Sequence, residues 1–490
     1  MEGDIIFNKE NPSSTTQSPD GEPKEEKIEA SNVAPEQASL REDSLNSPLP
    51  PPPSGGPIGL IIKIIIGLIG IAIFGFVIVR FILPLFGGNS EKVTLTYWGL
   101  WENEKTIDSI INEFEADHPD IKVNYVKQDI KQYNDTLQTR VNNGTGPDIF
   151  RFHNSWVPML KEELLPLSQD AIKPDNFKNK YYPVTQSDLV RNGAIYGIPL
   201  EIDTIAMFVN TEIIQEAGVS IPQDWNEFVK TAVKITVKDS SGKIKTSGAA
   251  LGTYDNITHS PDILAMLFAQ NGTNLTDMSK TPNNAAETLK FYTSFASGNG
   301  RMWDETLDKS IDAFAKGQVG FYFGYSWDIF QIRATNPDLK FEVHKVPGLP
   351  GRRMTVASYW VEGVSSKTKH PKEAMQFMNF LAQESTVEKF YTEVSKTRVF
   401  GEPYPFVALK DRLKDDKIVY PFVEQAPTAV STYFVSDTHD NGINDKMNAY
   451  LGNAVRSVLG NTSEESAVKT LSSGVSQVLS LYERKPTPTR

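Results

Sequence analysis

One stretch constrains this chain more than any other: an apolar run over residues 58–86, IGLIIKIIIGLIGIAIFGFVIVRFILPLF. From Ile64 to Val79 it holds no charged or strongly polar residue, and its apolar character continues past Arg80 to Phe86. A helix needs about 20 apolar residues to cross the hydrocarbon core of a bilayer. The run meets that length if Lys63 and Arg80 carry their charged heads to the two interfaces, or if the helix tilts. A buried helix of a soluble domain rarely stays apolar on every face for so long. A cleavable signal peptide fits poorly, because the preceding region is long and acidic and no small-x-small cleavage site comes after it. The expectation is one transmembrane helix over 58–86.

The two sides of the run differ in kind. Residues 1–57 are rich in Pro, Ser, Glu and Asn, with four basic residues against eleven acidic ones. Such a composition buries too little apolar surface to offset chain entropy, so a disordered tail is expected. It ends in Pro48, Pro50, Pro51, Pro52, Pro53 and then Ser54, Gly55, Gly56 and Pro57, which reads as a polyproline spacer. Lys63 flanks one end of the apolar run and Arg80 and Lys92 the other, so charge does not orient it. The whole chain of 490 residues carries a formal charge of -12, which gives no electrostatic footprint for nucleic acid. It has no cysteine. Disulfides, thiolate metal sites, a cysteine nucleophile and a lipidated cysteine anchor are therefore excluded.

After a short linker at 87–92 the pattern becomes that of a folded domain. Val93, Leu95 and Tyr97 alternate with Thr94 and Thr96 as in a strand, and Ile107, Ile110, Ile111 and Phe114 repeat as on a helix. His118-Pro119 stops that helix. Ile121, Val123 and Tyr125 alternate again. Ile130, Tyr133, Leu137 and Val141 give a second helical face, and Asp148-Ile149-Phe150 opens a third strand. This β-α-β-α-β order predicts parallel strands and an α/β sheet. Ligands of such sheets sit beyond the carboxyl ends of the strands. Those ends carry Trp98, Trp101 and Glu102, then Gln128 and Asp129, then His153, Asn154 and Trp156. Apolar walls with a few placed polar groups are what ligand sites are made of.

A series of motifs runs on in order. Leu95-Thr96-Tyr97-Trp98 precedes Phe114-Glu115-Ala116-Asp117-His118-Pro119, and Gly146-Pro147-Asp148-Ile149 precedes Leu165-Pro166-Leu167. Tyr196-Gly197-Ile198-Pro199 leads to Phe208-Val209-Asn210, then Asp224-Trp225-Asn226-Glu227-Phe228 and Phe314-Ala315-Lys316-Gly317-Gln318. Last comes the segment from Glu373 to Leu381. In this order and spacing the chain resembles the family 1 extracellular solute-binding proteins of ABC importers, the group that includes maltose- and oligosaccharide-binding proteins. The resemblance covers roughly residues 93 to 480. It implies an α/β fold of two lobes joined by a hinge, closing on ligand like a clamp, over residues 91–485. Lobe one would be about 91–203 and 348–400, and lobe two about 204–347 and 401–485. Two C-terminal helices are legible independently. One has an apolar face of Met447, Tyr450, Leu451, Ala454, Val455, Val458 and Leu459, and the next opens at a capping box, Thr462-Ser463-Glu464-Glu465.

The resemblance also implies site residues. Glu201 and Asp203 stand where the chain would cross to the second lobe, and acidic residues there commonly bond ligand hydroxyls in the family. Tyr325 and Trp327 come after the strand of Val319, Phe321 and Phe323, where the family often sets an aromatic against the ligand. Trp360 stands where many members have small residues; Tyr433 and Phe434 are further candidates. The expected ligand site is thus Trp98, Trp101, Glu102, Asn154, Trp156, Glu201, Asp203, Tyr325, Trp327 and Trp360. Five of the seven tryptophans fall at strand ends or loops, which favours a sugar: indole faces pack on its C–H face while carboxylates and amides bond its hydroxyl edge.

No G-x-S-x-G elbow, P-loop or H-E-x-x-H is present, and the six histidines lack metal-ligand spacing. The segment from Asp437 to Gly442 fails as a calcium loop, with His439 at the third position and Asn448 at the twelfth. No metal, cofactor or catalytic residue is expected. A glycosidase needs only two carboxylates, and Glu102 with Glu201 would be the pair. The reading is a membrane-tethered protein that captures a carbohydrate outside the cell for an ABC transporter permease, with its N-terminus in the cytoplasm. That orientation comes from the resemblance. A cell-surface receptor or sensor is the alternative, and a glycoside-acting enzyme a further one.

Overall fold

The computed structural model describes Gly70, Ile71 and residues 92–483. The expected tail and apolar span lie outside the described residues, apart from Gly70 and Ile71, which are helical. Among the described residues no helix is long and apolar enough to cross a membrane. The chain divides into two units, 1–88 and 89–490, and the strands and helices of 92–483 belong to the second.

The first strand of this unit, Val93–Gly99, buries Leu95 and Tyr97 while Thr94, Thr96 and Trp98 stay less buried, the period-2 alternation of a half-buried strand. Helix Glu104–Asp117 starts because the Asn103 side chain accepts the Thr106 N–H at 3.1 Å, a cap that satisfies an otherwise orphaned donor. Ile107, Ile110, Ile111 and Phe114 form its buried stripe. It ends at His118, whose ring stacks on Phe114 with centroids 4.3 Å apart. Strand Ile121–Lys127 then runs parallel to the first, Val93 opposite Ile121, and Ile149–His153 runs parallel on its other side. The second helix is Tyr133–Asn142, so Ile130 precedes it instead of lying on its face. At Gly99 a close approach demands glycine: any Cβ there would overlap the Tyr125 ring.

Four sheets result among the described residues, the smallest a two-stranded pairing of Val190–Arg191 with Ala194–Ile195. The first runs in the order Ile121–Lys127, Val93–Gly99, Ile149–His153, Trp360–Ser365, Leu164–Leu165, with Ile198–Pro199 also paired to Trp360–Ser365. The second runs Val237–Lys238, Ile244–Ala249, Val319–Gly324, Ala206–Asn210, Phe341–His344. Its central strands Val319–Gly324 and Ala206–Asn210 are buried throughout, which is why they read as continuous apolar runs. The third is small, ordered Ala429–Val430, Thr355–Ser358, Asp203–Thr204.

The third sheet is built from the chain's passages between the first and second sheets. Asp203–Thr204 lies between Ile198–Pro199 of the first sheet and Ala206–Asn210 of the second. Thr355–Ser358 lies on the way back, from Phe341–His344 to Trp360–Ser365. Ala429–Val430 lies on the third passage. It starts from two helices: Pro371–Leu381, which packs on the first sheet where Phe377 meets Tyr97 at 5.9 Å, and Glu384–Ser395, which packs on helix Glu104–Asp117 where Lys389 donates to the Ser109 carbonyl at 2.8 Å. It ends at helix Ile443–Leu459, which packs on elements of the second half: Tyr254 donates to the Asn448 carbonyl at 2.8 Å, and Arg456 pairs with Asp255 at 2.9 Å. Ala357 pairs Thr204 and Thr355 pairs Ala429 in register. Buried side chains add to the ladder. Gln425 donates to Thr204 Oγ1 (3.0 Å) and the Ile205 carbonyl (2.8 Å), and Thr355 donates to the same carbonyl at 2.7 Å.

Met447, Leu451, Ala454 and Val455 are buried on helix Ile443–Leu459, while Tyr450, Val458 and Leu459 pack partly buried against the core. Helix Glu464–Glu483 is capped by Ser463, whose Oγ accepts the Ser466 N–H at 3.3 Å. The cap therefore sits one position after Thr462, and no carboxylate stands at the third helical position to complete the reciprocal box.

Candidate ligand-binding cleft

The carboxyl end of the first sheet meets the second sheet's Trp327 region at a cleft of about 240 Å³. Trp101, His153, Glu201, Trp327, Phe330, Ser358, Trp360, Arg398, Glu402, Ser436, Asp437 and Thr438 line it. All three passages contribute: Glu201 from one, Ser358 from another, and Arg398, Glu402 and residues 436–438 from the last.

The wall on the first-sheet side is an aromatic cluster. Trp360 opens its strand directly opposite His153, because the strand pairing is antiparallel and the two ends coincide. Its ring meets Trp101 edge-on with centroids 5.3 Å apart, Trp156 at 5.3 Å and His153 at 5.2 Å. Exposure grades through the cluster: Trp101 is 41% exposed, Trp360 8% and Trp156 0%. Trp101 thus offers a free face and Trp156 is the packing beneath it. His153 bonds Ser155 Oγ at 2.7 Å and Ser358 Oγ at 3.0 Å. Burial pushes its pKa down to about 3, so the ring is neutral at physiological pH.

The opposite wall is Trp327 with Phe330. Trp327 stacks on Tyr325 with centroids 4.4 Å apart and planes 16° apart. Tyr325 is buried, and its hydroxyl donates to Asp262 at 2.8 Å. It fixes the indole from behind. The Arg398 guanidinium lies 4.9 Å from the Phe330 ring centre and pairs with Glu402.

Polar groups stand between the walls. Glu201 accepts the Trp360 N–H at 3.2 Å and shares a hydrogen bond with the Glu402 carboxyl. Burial, then the charge of Glu402, raises the Glu201 pKa well above the usual carboxyl range. Glu402 is held low by the Glu201 hydrogen bond and by Arg398, against the effect of burial. A hydrogen bond between two carboxyls needs one proton, and the opposed shifts place it on Glu201. Asp203 sits behind this layer, accepting the N–H groups of Ser326 and Thr204 at 2.8 Å each. Burial raises its pKa to about 8.

Of the residues expected from the sequence, Trp101, Glu201, Trp327 and Trp360 line this cleft together. Trp156, Asp203 and Tyr325 support it from one layer back. Glu102 lies elsewhere, in a buried triad: Arg151 bonds Glu102 at 2.6 Å and Glu362 at 2.6 Å. Asn154 lines a separate cavity of about 390 Å³ with Asp188, Arg191 and Ser431. It donates to Asp188 at 3.0 Å and accepts the Tyr359 N–H at 3.2 Å. Trp98 is half-buried on its strand and lines neither space. Sequence reasoning missed Phe330, Ser358, Arg398, Glu402, Ser436, Asp437 and Thr438. Ser358 is close to Trp360 in the chain, but the other polar groups sit on connecting segments with no periodicity to mark them.

A model of the family described as bacterial extracellular solute-binding protein matches residues 109–416, more than half of the chain. The chain belongs to this solute-binding family. The multiple sugar-binding protein of Streptococcus mutans is 23% identical over 319 residues, 61% of this chain and 74% of that one. The galactooligosaccharide-binding protein of Bacillus subtilis is 22% identical over 362 residues, 70% of this chain and 80% of that one. Among solved structures, a cyclo/maltodextrin-binding protein complexed with maltotetraose superposes with a TM-score of 0.64 at 18% identity, over 78% of this chain and 96% of that one. A solute-binding protein of Thermotoga lettingae bound with α-D-tagatose superposes with a TM-score of 0.60 at 22% identity, over 79% of this chain and 100% of that one. The fold of this solute-binding protein is therefore the two-lobed α/β fold of periplasmic binding proteins.

The geometry also bears on catalysis. Glu102 is tied to Arg151 outside the cleft, so it does not pair with Glu201. Glu201 and Glu402 are in hydrogen-bond contact, whereas retaining glycosidases hold their carboxyls about 5–5.5 Å apart with the sugar carbon between them.

Proposed function

We propose that this protein is a membrane-tethered extracellular receptor that captures a sugar or oligosaccharide and delivers it to an ABC importer by closure of its lobes. The observation that carries the reading is the pair of aromatic walls, Trp101 with Trp360 and Trp327 with Phe330, facing a common cleft that also holds carboxyl groups. A pyranose has an apolar C–H face for such walls and a hydroxyl edge for such acceptors. The sugar-binding names of its relatives and the sugars in the solved neighbours support the same class. Lobe one would comprise about 91–203 and 348–400, and lobe two about 204–347 and 401–485, hinged at the three passages. Closure would follow from contacts that a bound sugar makes with both walls at once, the differential affinity that shifts such an equilibrium.

The run at 58–86 would anchor the protein, with residues 1–57 in the cytoplasm and the lobes outside. No cofactor enters this function, and its partners are the solute, the importer's permease and the bilayer. The long tail favours a second reading, a fixed cell-surface receptor whose tail engages a signalling protein. A pull-down on residues 1–57 separates the two, since a permease fits import and a signalling protein fits the receptor. The primary test is a sugar panel followed by tryptophan fluorescence and melting temperature. A change in both with at least one sugar is expected, and no change with any sugar would sink the proposal.

A further inference from the structure

The segment leading into helix Ile443–Leu459 carries three non-glycine residues in the left-handed region: Asp437 (φ 58°), His439 (φ 49°) and Asn441 (φ 50°). Such conformations persist only where the surroundings over-determine them. Here they do. Asp440 accepts the N–H groups of Gly442 and Asn444 at 2.9 Å and of Asp445 at 3.1 Å. Asn134 donates to the Asp440 carbonyl at 2.9 Å. Upstream, the Ser436 N–H donates to Asp262 at 3.0 Å, and Ser436 Oγ bonds His259 at 2.7 Å. Asp262 also receives the Tyr325 hydroxyl. The loop is therefore locked to the base of the Trp327 wall.

Of the three residues that this locked loop brings to the cleft, Ser436 is bonded within the protein and the other two are left unused. The Asp437 side chain is 60% exposed, and among the described residues its ion-pair partner is His259, at 3.8 Å. Thr438 is 2% exposed, yet its hydroxyl has no hydrogen-bond partner among the described residues. Buried hydroxyls without partners are rare enough to need a cause. Both residues line the same cleft as Trp327.

We propose that Asp437 and Thr438 are specificity-determining residues of the cleft, reading the hydroxyl edge of a solute whose apolar face packs on Trp327. The proposal rests on the sugar reading of the cleft. An exposed carboxylate accepts hydrogen bonds from solute hydroxyls. The Thr438 hydroxyl gains in the complex the partner it lacks without it.

The test uses the full chain, its Asp437→Asn and Thr438→Val variants, and maltotriose, mannotriose and arabinotriose as probes in calorimetric titration. Ligand-free melting temperatures are measured in parallel. Whichever trisaccharide binds the parent protein should bind Asp437→Asn about tenfold or more weakly, as expected for a lost charged hydrogen bond. Thr438→Val should bind it several-fold more weakly while its ligand-free melting temperature stays the same or rises, because a buried unsatisfied hydroxyl has been removed. Affinities within twofold of the parent in both variants would overturn the proposal. So would a Thr438→Val affinity loss accompanied by a lower ligand-free melting temperature, which would make the residue loop packing. If neither a trisaccharide nor any sugar of the wider panel binds the parent, the sugar reading itself fails and this inference falls with it.

Discussion

Glu201 and Glu402 hydrogen-bond to each other through their carboxyl groups on the cleft wall, and one proton serves both. The arrangement has a pH signature. Burial and the Glu402 charge raise the Glu201 pKa above the ordinary 4.5. Below about 4.5 this group's contribution to stability is fully present, because folded and unfolded forms both hold the proton. As pH rises the unfolded chain releases its proton first, and the contribution is lost through the folded pKa. Glu201→Gln keeps a neutral donor to Glu402 and an acceptor for the Trp360 N–H. Its melting temperature should therefore fall less than the parent's between pH 5 and 8; parallel curves would refute the shared proton.

His259 shifts through a different balance. Burial lowers its pKa, but the Asp328 carboxylate 2.9 Å away, together with Asp437 and Asp262, outweighs burial and carries it up to about 9. Its stabilising charge is fully present below the ordinary 6.5 and is lost as pH rises through about 9. Proton NMR of the His259 ring should show a midpoint near 9. Asp328→Asn should lower the midpoint, since burial is then opposed by the weaker pull of Asp437 and Asp262. A parent midpoint at or below 6.5 would contradict the ion pair.

The triad of Arg151 with Glu102 and Glu362 belongs to the fold. All three side chains are at most 3% exposed. Arg151→Met would leave two buried carboxylates without a counter-ion and should cost about 3–5 kcal/mol in urea unfolding. Glu102→Gln should lower stability by a smaller amount and leave sugar affinity unchanged. Affinity loss in Glu102→Gln at unchanged stability would return Glu102 to the ligand site.

The aromatic wall separates packing from binding. Trp156→Ala should cost about 3–5 kcal/mol, the range for a buried aromatic reduced to alanine. Trp101→Ala, at a 41% exposed position, should cost under about 1 kcal/mol and yet lower sugar affinity about tenfold or more. Equal stability losses in the two variants would show that Trp101 is packing as well.

Much of this was legible in the sequence because it is periodic. Leu95 and Tyr97, the Ile107 to Phe114 stripe and the Val319 to Phe323 run each announce an element whose burial follows from its period. The tryptophans at strand ends point to the cleft because the carboxyl ends of parallel strands converge there. Glu402, Arg398 and Asp437 left no such trace. They sit on the third passage, where contacts with residues distant in the chain, such as Thr355 with Ala429 and Phe330 with Arg398, set the geometry. Glu102 and Asn154 mislead for the complementary reason. Both come after strand ends, but buried partners, Arg151 for one and Asp188 for the other, consume their polar groups.

Sugar capture between the two aromatic walls is tested most directly by calorimetric titration of the full chain with neutral oligosaccharides, alongside a variant in which Trp101 and Trp327 are both alanine. One site per chain is predicted, with a negative heat-capacity change, the mark of apolar surface buried between two walls, and with loss of that binding in the double variant. Unchanged binding in the double variant, or no saturable heat from the folded parent with any oligosaccharide, would contradict it.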